Sequence, residues 1–164
     1  MKKAPDLQIF TIGHGSRKKD VFIDLLNKFE IQILIDVRSI PYSRYHPQFR
    51  QKQLQSDLQS SGIEYLFLGN ELGGRPENSD LYNSGELDYN LVRQTSSYQQ
   101  GIEQVIDILE KGIKVTLMCS ETNPNECHRK YLLSEDFAKR GIKIMHIDKV
   151  GEIEMTKQTS LFIE

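Results

Sequence analysis

Short apolar runs that predict β-strands alternate with amphipathic stretches along nearly the whole chain. The predicted strands cover 7–12, 31–37, 63–68, 113–118 and 143–147, and the predicted helices cover about 17–30, 49–62, 98–112 and 124–139. Strands that alternate with helices are joined by right-handed crossovers and run parallel. The expected fold class is therefore α/β, a three-layer, mostly parallel sheet of about five strands with helices on both faces.

The length of the chain suits one domain. At 164 residues the chain is long enough to bury a single core, so the prediction is one α/β domain over residues 1–164. No apolar run approaches the roughly 20 residues that a membrane helix needs. The first eight residues carry no apolar stretch after their lysines, unlike a signal peptide. A cytoplasmic protein without a membrane partner is expected.

The overall charge limits the classes of partner. The net charge is −2 and the isoelectric point is near 6.1, so the chain as a whole lacks the basic character of a strong non-specific nucleic-acid binder. A local basic patch is still compatible with these values. Nucleic acid is therefore a possible partner, but not the favoured one.

One stretch, residues 69–95, shows no sustained periodicity. It is rich in glycine and asparagine, and loops of this length inside a compact domain usually serve a function. Its opening part, ELGGR at 71–75, contains Gly73, Gly74 and Arg75, where paired glycines let the backbone approach a ligand and the arginine can hold an anion. We expect a lid or a binding loop here.

The predicted strand 113–118 ends in reactive residues. Cys119 and Glu121 follow its last apolar residue directly, and such strand ends line the ligand-binding edge of a parallel sheet. Cys119 is a candidate nucleophile and Glu121 a candidate base or orienting group. The alternative is that Cys119, a small polarisable residue, simply fills the core.

A helix start is predicted just beyond, with Asn123 as the N-cap and Pro124 at the first helical position. Cys127, His128 and Arg129 fall in the first turns of this helix. Free backbone N–H groups and the helix dipole favour anions there, and they lower the pKa of a thiol. Packing is the competing interpretation for Cys127, and plain solvation is the competing one for Arg129.

Polar residues also follow the first two predicted strands. Asp36 and Arg38 lie on either side of one residue, so in a strand they point the same way and form a salt bridge or flank a pocket. His14 stands between two glycines, which is a weak phosphate-loop signal because the full glycine spacing of a nucleotide loop is missing. His146 falls near the end of the last strand. We expect all of these residues at one edge of the sheet.

A metal site is a further possibility. Thiols and imidazoles are ligands that zinc prefers, and the chain offers Cys119, Cys127, His14, His128 and His146. Their spacing does not match the paired cysteine pattern of a structural zinc site. Zinc is therefore a possible cofactor, and the sequence indicates no cofactor with certainty.

Four segments carry a resemblance to a known family. They are TIGHG at 11–15, DVRSIPYS at 36–43, GIEYLFLGNELGGR at 62–75 and MCSETNPNECHR at 118–129, followed by MHI at 145–147. The chain resembles the uncharacterised bacterial and archaeal domain-of-unknown-function family 488. Gly15 departs from the family, which more often has serine directly after the histidine. The resemblance implies an α/β domain with the motif residues His14, Asp36, Arg38, Ser43, Arg75, Cys119, Glu121, Cys127, His128 and Arg129, and it implies no particular activity.

The leading hypothesis is a thiol-dependent hydrolase or transferase for an anionic substrate, phosphorylated or nucleotide-like. In this scheme the catalytic residues are Cys119, Glu121, His14 and His128, and the substrate-binding residues are Asp36, Arg38, Ser43, Arg75, Arg129 and Cys127. Two alternatives remain open at this point: a non-catalytic nucleotide or nucleic-acid binding module, and a zinc protein that uses the cysteines.

Overall fold

The computed structural model describes residues 6–123 and 127–155, without the side chains of Arg129, Lys130 and Met155. The strands are β1 Gln8–Gly13, β2 Ile33–Asp36, β3 Glu64–Phe67, β4 Tyr82–Asn83, β5 Glu86–Leu87, β6 Val115–Cys119, β7 Lys143–Ile147 and β8 Ile153–Met155. The α-helices are α1 Lys19–Lys28, α2 Gln51–Ser60, α3 Gly69–Leu72, α4 Tyr89–Gln94, α5 Ser96–Glu110 and α6 Glu135–Lys139. Short 3₁₀ turns cover Pro47–Phe49 and Ser79–Leu81, and a π-helical turn covers Arg129–Ser134.

A six-stranded sheet in the order β3-β2-β6-β1-β7-β8 forms the middle layer of an α/β fold. All neighbouring strands are parallel except β8, which pairs antiparallel with β7. The α/β class and the helices on both faces confirm the prediction from the sequence. The antiparallel edge strand β8 lies in a stretch whose pattern was too weak to predict.

The two faces of the sheet bury different core clusters, because side chains alternate along each strand. Ile35, Leu117 and Cys119 pack in a cluster with α5 and α6. Leu34 and Met118 pack in the other cluster, with α1 and α2. Residues next to each other in a strand therefore contribute to opposite sides of the protein.

The register of the central strands sets the position of the functional residues. Gly13 at the end of β1 pairs with Cys119 at the end of β6, and Asp36 at the end of β2 pairs with Met118. The carboxyl ends of three neighbouring parallel strands thus meet at one level. This is the edge where parallel α/β sheets bind their ligands.

Residues 69–95 are more ordered locally than the sequence pattern predicts. The segment contains α3, a 3₁₀ turn, the hairpin of β4 and β5, and α4, each of two to six residues. Elements this short do not complete enough turns or alternations to produce a readable period. The interpretation as a lid or binding loop stays a prediction.

The predicted helix 124–139 ends as expected, at Lys139 of α6, and Gly141 follows with a positive φ of 78°. Its described part is not uniform, because a π-helical turn precedes α6. The predicted helix start at Pro124 lies outside the described residues. Across the described ranges, each helix is too short or too polar to cross a bilayer.

Candidate functional site

Two thiols lie side by side at the carboxyl end of β6. The Sγ atoms of Cys119 and Cys127 are 2.9 Å apart. Cys119 is 3% exposed and Cys127 is 9% exposed, and both belong to the core cluster on the α5 face of the sheet. The backbone carbonyl of Glu121 lies 3.5 Å from the Cys119 sulfur. The structure thus brings together two residues that are separated by eight positions in sequence.

An imidazole adjoins this pair of thiols. Nε2 of His128 lies 2.8 Å from the carbonyl oxygen of Leu72, which can only accept, so Nε2 carries the hydrogen. Nδ1 is then the accepting nitrogen, and it lies 3.5 Å from Sγ of Cys127. The Leu72 carbonyl therefore fixes the tautomer in which His128 can take a proton from the neighbouring thiol.

The glycines at the start of the 69–95 segment make room for this imidazole. A Cβ on Gly74 would lie 2.7 Å from Nδ1 of His128, closer than real Cβ atoms approach. Gly73 is equally confined, since a Cβ there would overlap the hydroxyl of Ser39 and the carbonyl of Gly69. Close packing thus requires both glycines, Gly74 against the imidazole and Gly73 against the chain around Ser39.

A second polar cluster surrounds the carboxylate of Asp36, which is fully buried. Nε and Nη2 of Arg38 donate to its two oxygens at 2.9 and 2.8 Å, and the Arg38 backbone N–H donates to Oδ1 at 3.1 Å. The hydroxyl of Tyr65 donates to Oδ2 at 2.7 Å. These four hydrogen bonds replace the bonds to water that the carboxylate loses when it is buried.

His14 completes the second cluster. Nη1 of Arg38 lies 3.4 Å from Nε2 of His14, and Nδ1 of the same ring lies 2.8 Å from the carbonyl oxygen of Gly15. Both contacts fit the tautomer with the hydrogen on Nδ1. The ring stacks on Phe49 at 4.4 Å between centroids. Burial, together with the nearby charge of Arg38, lowers the pKa of His14 from 6.5 to about 4, so the ring is neutral at pH 7.

The two clusters lie on opposite faces of the sheet. Phe49, on which His14 stacks, belongs to the α1–α2 core cluster, whereas Cys119 and Cys127 belong to the α5–α6 cluster. The backbone joins them, since the His14 N–H donates to the Cys119 carbonyl at 2.9 Å. The sequence correctly places these residues at one edge of the sheet, and the structure sorts them into two groups there.

The chain after Cys119 is pressed onto the first strand-to-helix corner. The N–H of Gly15 donates to the carbonyl of Ser120 at 2.9 Å. A Cβ on Gly13 would overlap the carbonyl of Glu121. The GHG sequence at this corner therefore serves a close backbone contact, which is a structural reason for its glycines.

The remaining candidate residues lie around these clusters. The Ser43 hydroxyl accepts from the N–H of His46 at 3.1 Å, and the backbone N–H of Arg75 donates to the hydroxyl of Ser39 at 2.9 Å. The side chain of Arg75 is exposed. His146 is buried on the α5–α6 side, with Nδ1 beside the hydroxyl of Thr11. Arg129 begins the π-helical turn, and its side chain lies outside the described part.

Sequence reasoning missed Tyr65 and Phe49 as parts of the site. Tyr65 sits within β3 and gives only an apolar strand pattern, yet its hydroxyl reaches Asp36. Phe49 lies in a short 3₁₀ turn after an irregular stretch. The available signal in the sequence was the hydroxyl group of Tyr65 within a largely apolar predicted strand. Among the described residues no group of three or more histidine, cysteine, aspartate or glutamate side chains is arranged to hold a metal ion.

Comparison with known proteins gives a family without an activity. No curated protein and no solved structure matches the chain. The sequence profile of one family, described as "Domain of unknown function DUF488", matches residues 18–135. His14 and His146 lie outside this match. Because the profile covers more than half of the 164 residues, the chain belongs to the DUF488 family.

Proposed function

We propose that the protein is a thiol-dependent enzyme, a hydrolase or transferase, that acts on an anionic substrate of the phosphorylated or nucleotide-like class. The observation that supports this most directly is the position of the Cys127 sulfur. It lies 2.9 Å from the sulfur of Cys119 and 3.5 Å from the accepting nitrogen of His128. A thiol beside a base of fixed tautomer is the arrangement that nucleophilic catalysis requires.

The distances favour Cys127 over Cys119 as the nucleophile of this enzyme. The proton of the Cys127 thiol passes to Nδ1 of His128, and the thiolate attacks the electrophilic atom of the substrate. The leaving group then receives the proton back from His128. Once the Cys127 thiol has lost its proton, the S–H group of Cys119 turns from the Glu121 carbonyl and donates to the thiolate across 2.9 Å. Glu121 contributes its backbone carbonyl to the position of Cys119.

Arginines would hold the anion. Arg75 is exposed and directly follows Gly74, whose backbone lies against His128, so its side chain starts beside the thiol cluster. Arg38 is 5% exposed and is paired with Asp36, so it shapes the edge from the other face of the sheet. Arg129 opens a helical turn two residues after Cys127. These positions suit an anionic group at the carboxyl edge.

The test is the rate of alkylation of each cysteine as a function of pH, read by mass spectrometry with and without inorganic phosphate. An ordinary thiol ionises near pH 8.5. We expect Cys127 to react at clearly lower pH, phosphate to slow the reaction, and His128→Asn to restore ordinary behaviour. Cys119→Ser should leave the reaction of Cys127 detectable. Two sulfurs that stay inert until the protein unfolds would overturn the assignment.

A second candidate is a non-catalytic module that binds a nucleotide at the same edge. The burial of both sulfurs favours it, since a buried cysteine can serve packing alone. It predicts that a mixture of nucleotides raises the melting temperature of the wild type and of a Cys119→Ser/Cys127→Ser variant equally. If only the wild type is stabilised, the thiols take part in binding and this candidate fails.

A further inference from the structure

The loop that follows Arg38 is locally basic, in contrast to the whole chain. Between residues 38 and 56 the sequence holds Arg38, Arg44, Arg50 and Lys52 and no aspartate or glutamate, while the net charge of the chain is −2. In the described part of the chain, Arg44, Arg50 and Lys52 take no part in the ion pairs that are formed. Their charges are therefore available to an external anion.

The same loop exposes large apolar side chains. Ile40 is 72% exposed, Tyr42 is 55% exposed and Tyr45 is 77% exposed. These account for three of the six large hydrophobic residues found exposed in the described part of the chain. Single exposed apolar residues are ordinary, but a group within six residues marks an interaction surface. We name residues 39–50 the arginine–tyrosine loop.

Arginine and tyrosine side chains are paired within this loop. The guanidinium of Arg50 lies 4.7 Å from the centre of the Tyr42 ring, and that of Arg44 lies 5.5 Å from the centre of the Tyr45 ring. Such cation–π contacts place a positive charge directly beside an exposed ring. A ligand that meets this surface meets flat rings and positive charges together.

Hydrogen bonds hold the loop in one shape. Nε of Arg50 donates to the carbonyl of Ser43 at 3.1 Å, and the N–H of Gln51 donates to the carbonyl of Pro41 at 3.0 Å. Phe49, next to the last residue of the loop, is 1% exposed and packs between His14 and Phe22. Because the loop is tied at its base, binding would cost little ordering of its backbone.

We propose that the arginine–tyrosine loop binds single-stranded nucleic acid. A single strand offers unpaired bases that can stack on the tyrosine rings and phosphates that can pair with the arginines. Both groups recur with every nucleotide of the strand. A duplex keeps its bases stacked inside and would use the charges alone. The proposal concerns a surface beyond the thiols, so it stands or falls separately from the enzymatic assignment.

The experiment measures binding of fluorescein-labelled oligo(dT) and oligo(rU) of about 12 nucleotides by fluorescence anisotropy, at several salt concentrations. We expect Tyr45→Ala to weaken binding by at least about fivefold, because each stacked base contributes at this level. Arg44→Ala should weaken binding and reduce the slope of log K against log salt by about 0.7. A duplex of equal length should bind more weakly and respond little to Tyr45→Ala.

Two matched variants control for general effects. Tyr131→Ala removes an exposed tyrosine before α6. Lys143→Ala removes an exposed lysine at the start of β7, where the amino ends of the parallel strands lie. Both should bind like the wild type, as should Cys119→Ser/Cys127→Ser. The proposal is overturned if the wild type does not bind a single strand at about 100 μM protein in low salt. Equal binding by Tyr45→Ala and the wild type overturns it as well.

Discussion

The Sγ atoms of Cys119 and Cys127 lie 2.9 Å apart, about 0.9 Å more than the length of a covalent bond between them, which is about 2.05 Å. Cys119 is the last residue of β6, and the sulfur of Cys127 lies against its side chain. From this separation we expect the two thiols to form an intramolecular disulfide when they are oxidised.

Oxidation is therefore expected to join these two residues within one chain. Glutathione disulfide should accept two electrons and two protons from the thiols and leave as two molecules of glutathione, through a mixed disulfide on one cysteine. Mass spectrometry of the intact protein should show the loss of two hydrogens, and peptide mapping should place the bond. Cys119→Ser should stop at the mixed disulfide. A covalent dimer as the main product would contradict this expectation.

Removing the Tyr65 hydroxyl should destabilise the fold measurably. It donates to the buried Asp36 carboxylate at 2.7 Å, and hydrogen bonds to charged groups contribute about 1.5–3 kcal/mol. Tyr65 is partly exposed, so we expect Tyr65→Phe to lose about 1.5 kcal/mol in urea unfolding. Tyr82→Phe is the control, because its hydroxyl donates to the neutral carbonyl of Pro76 and should cost less. Equal losses would show that the carboxylate does not depend on the phenol.

Breaking the buried pair of Asp36 and Arg38 should cost more than breaking an exposed one. Loss of one partner leaves an uncompensated charge in the core, which costs about 3–5 kcal/mol. We expect Arg38→Met to reach this range in urea unfolding, and Asp36→Leu/Arg38→Met to recover part of the loss. Arg140→Met, which breaks an exposed pair with Glu103, should cost at most about 1 kcal/mol. Similar losses for both arginines would contradict the role of burial.

The depressed pKa of His14 should make the fold less stable in mild acid. The folded-state pKa is about 4 and the ordinary value is 6.5, so the unfolded chain takes up a proton first as the pH falls. The stability is complete above pH 6.5 and declines toward pH 4. Between pH 6.5 and 5.0 we expect His14 to account for a loss of roughly 1.5 kcal/mol.

Urea unfolding at both pH values measures this loss. His14→Asn, whose amide can keep the hydrogen bond to the Gly15 carbonyl, should show a smaller decrease between pH 6.5 and 5.0 than the wild type. The difference between the two proteins isolates the titration of His14 from that of the other histidines. An identical decrease in both proteins would show that His14 is protonated in the folded state as easily as in the unfolded one.

The sequence predicts the layers of this protein well because each central element is long enough to show its period. Strand β7 is found over Lys143–Ile147, the predicted range, and α5 ends just before Gly112 as expected. The short elements of residues 69–95 fall below that length. Strand β8 escapes prediction for the same reason, and its antiparallel pairing with β7 follows a tight turn at Gly151.

The site is only partly predictable. The ends of the predicted strands show which residues lie at the carboxyl edge of the sheet, but not on which face of the sheet each side chain lies. Asp36 and Cys119 both end strands, yet the register places Asp36 beside Met118, so Asp36 and Cys119 point to opposite sides. This offset depends on how β2 and β6 align, which no local pattern contains. The contact between Cys127 and Cys119 likewise joins residues eight positions apart, and no local pattern contains it.

The hydrogen bond from the His14 N–H to the Cys119 carbonyl connects the two polar clusters through the backbone. Cys119, whose thiol lies on the α5–α6 side of the sheet, also holds the backbone of His14, whose ring lies on the α1–α2 side. The ring of His14 stacks in turn on Phe49, near the end of the arginine–tyrosine loop. Unbroken contacts thus connect the pair of thiols with the arginine–tyrosine loop, although the side chains of Cys119 and His14 lie on opposite faces of the sheet.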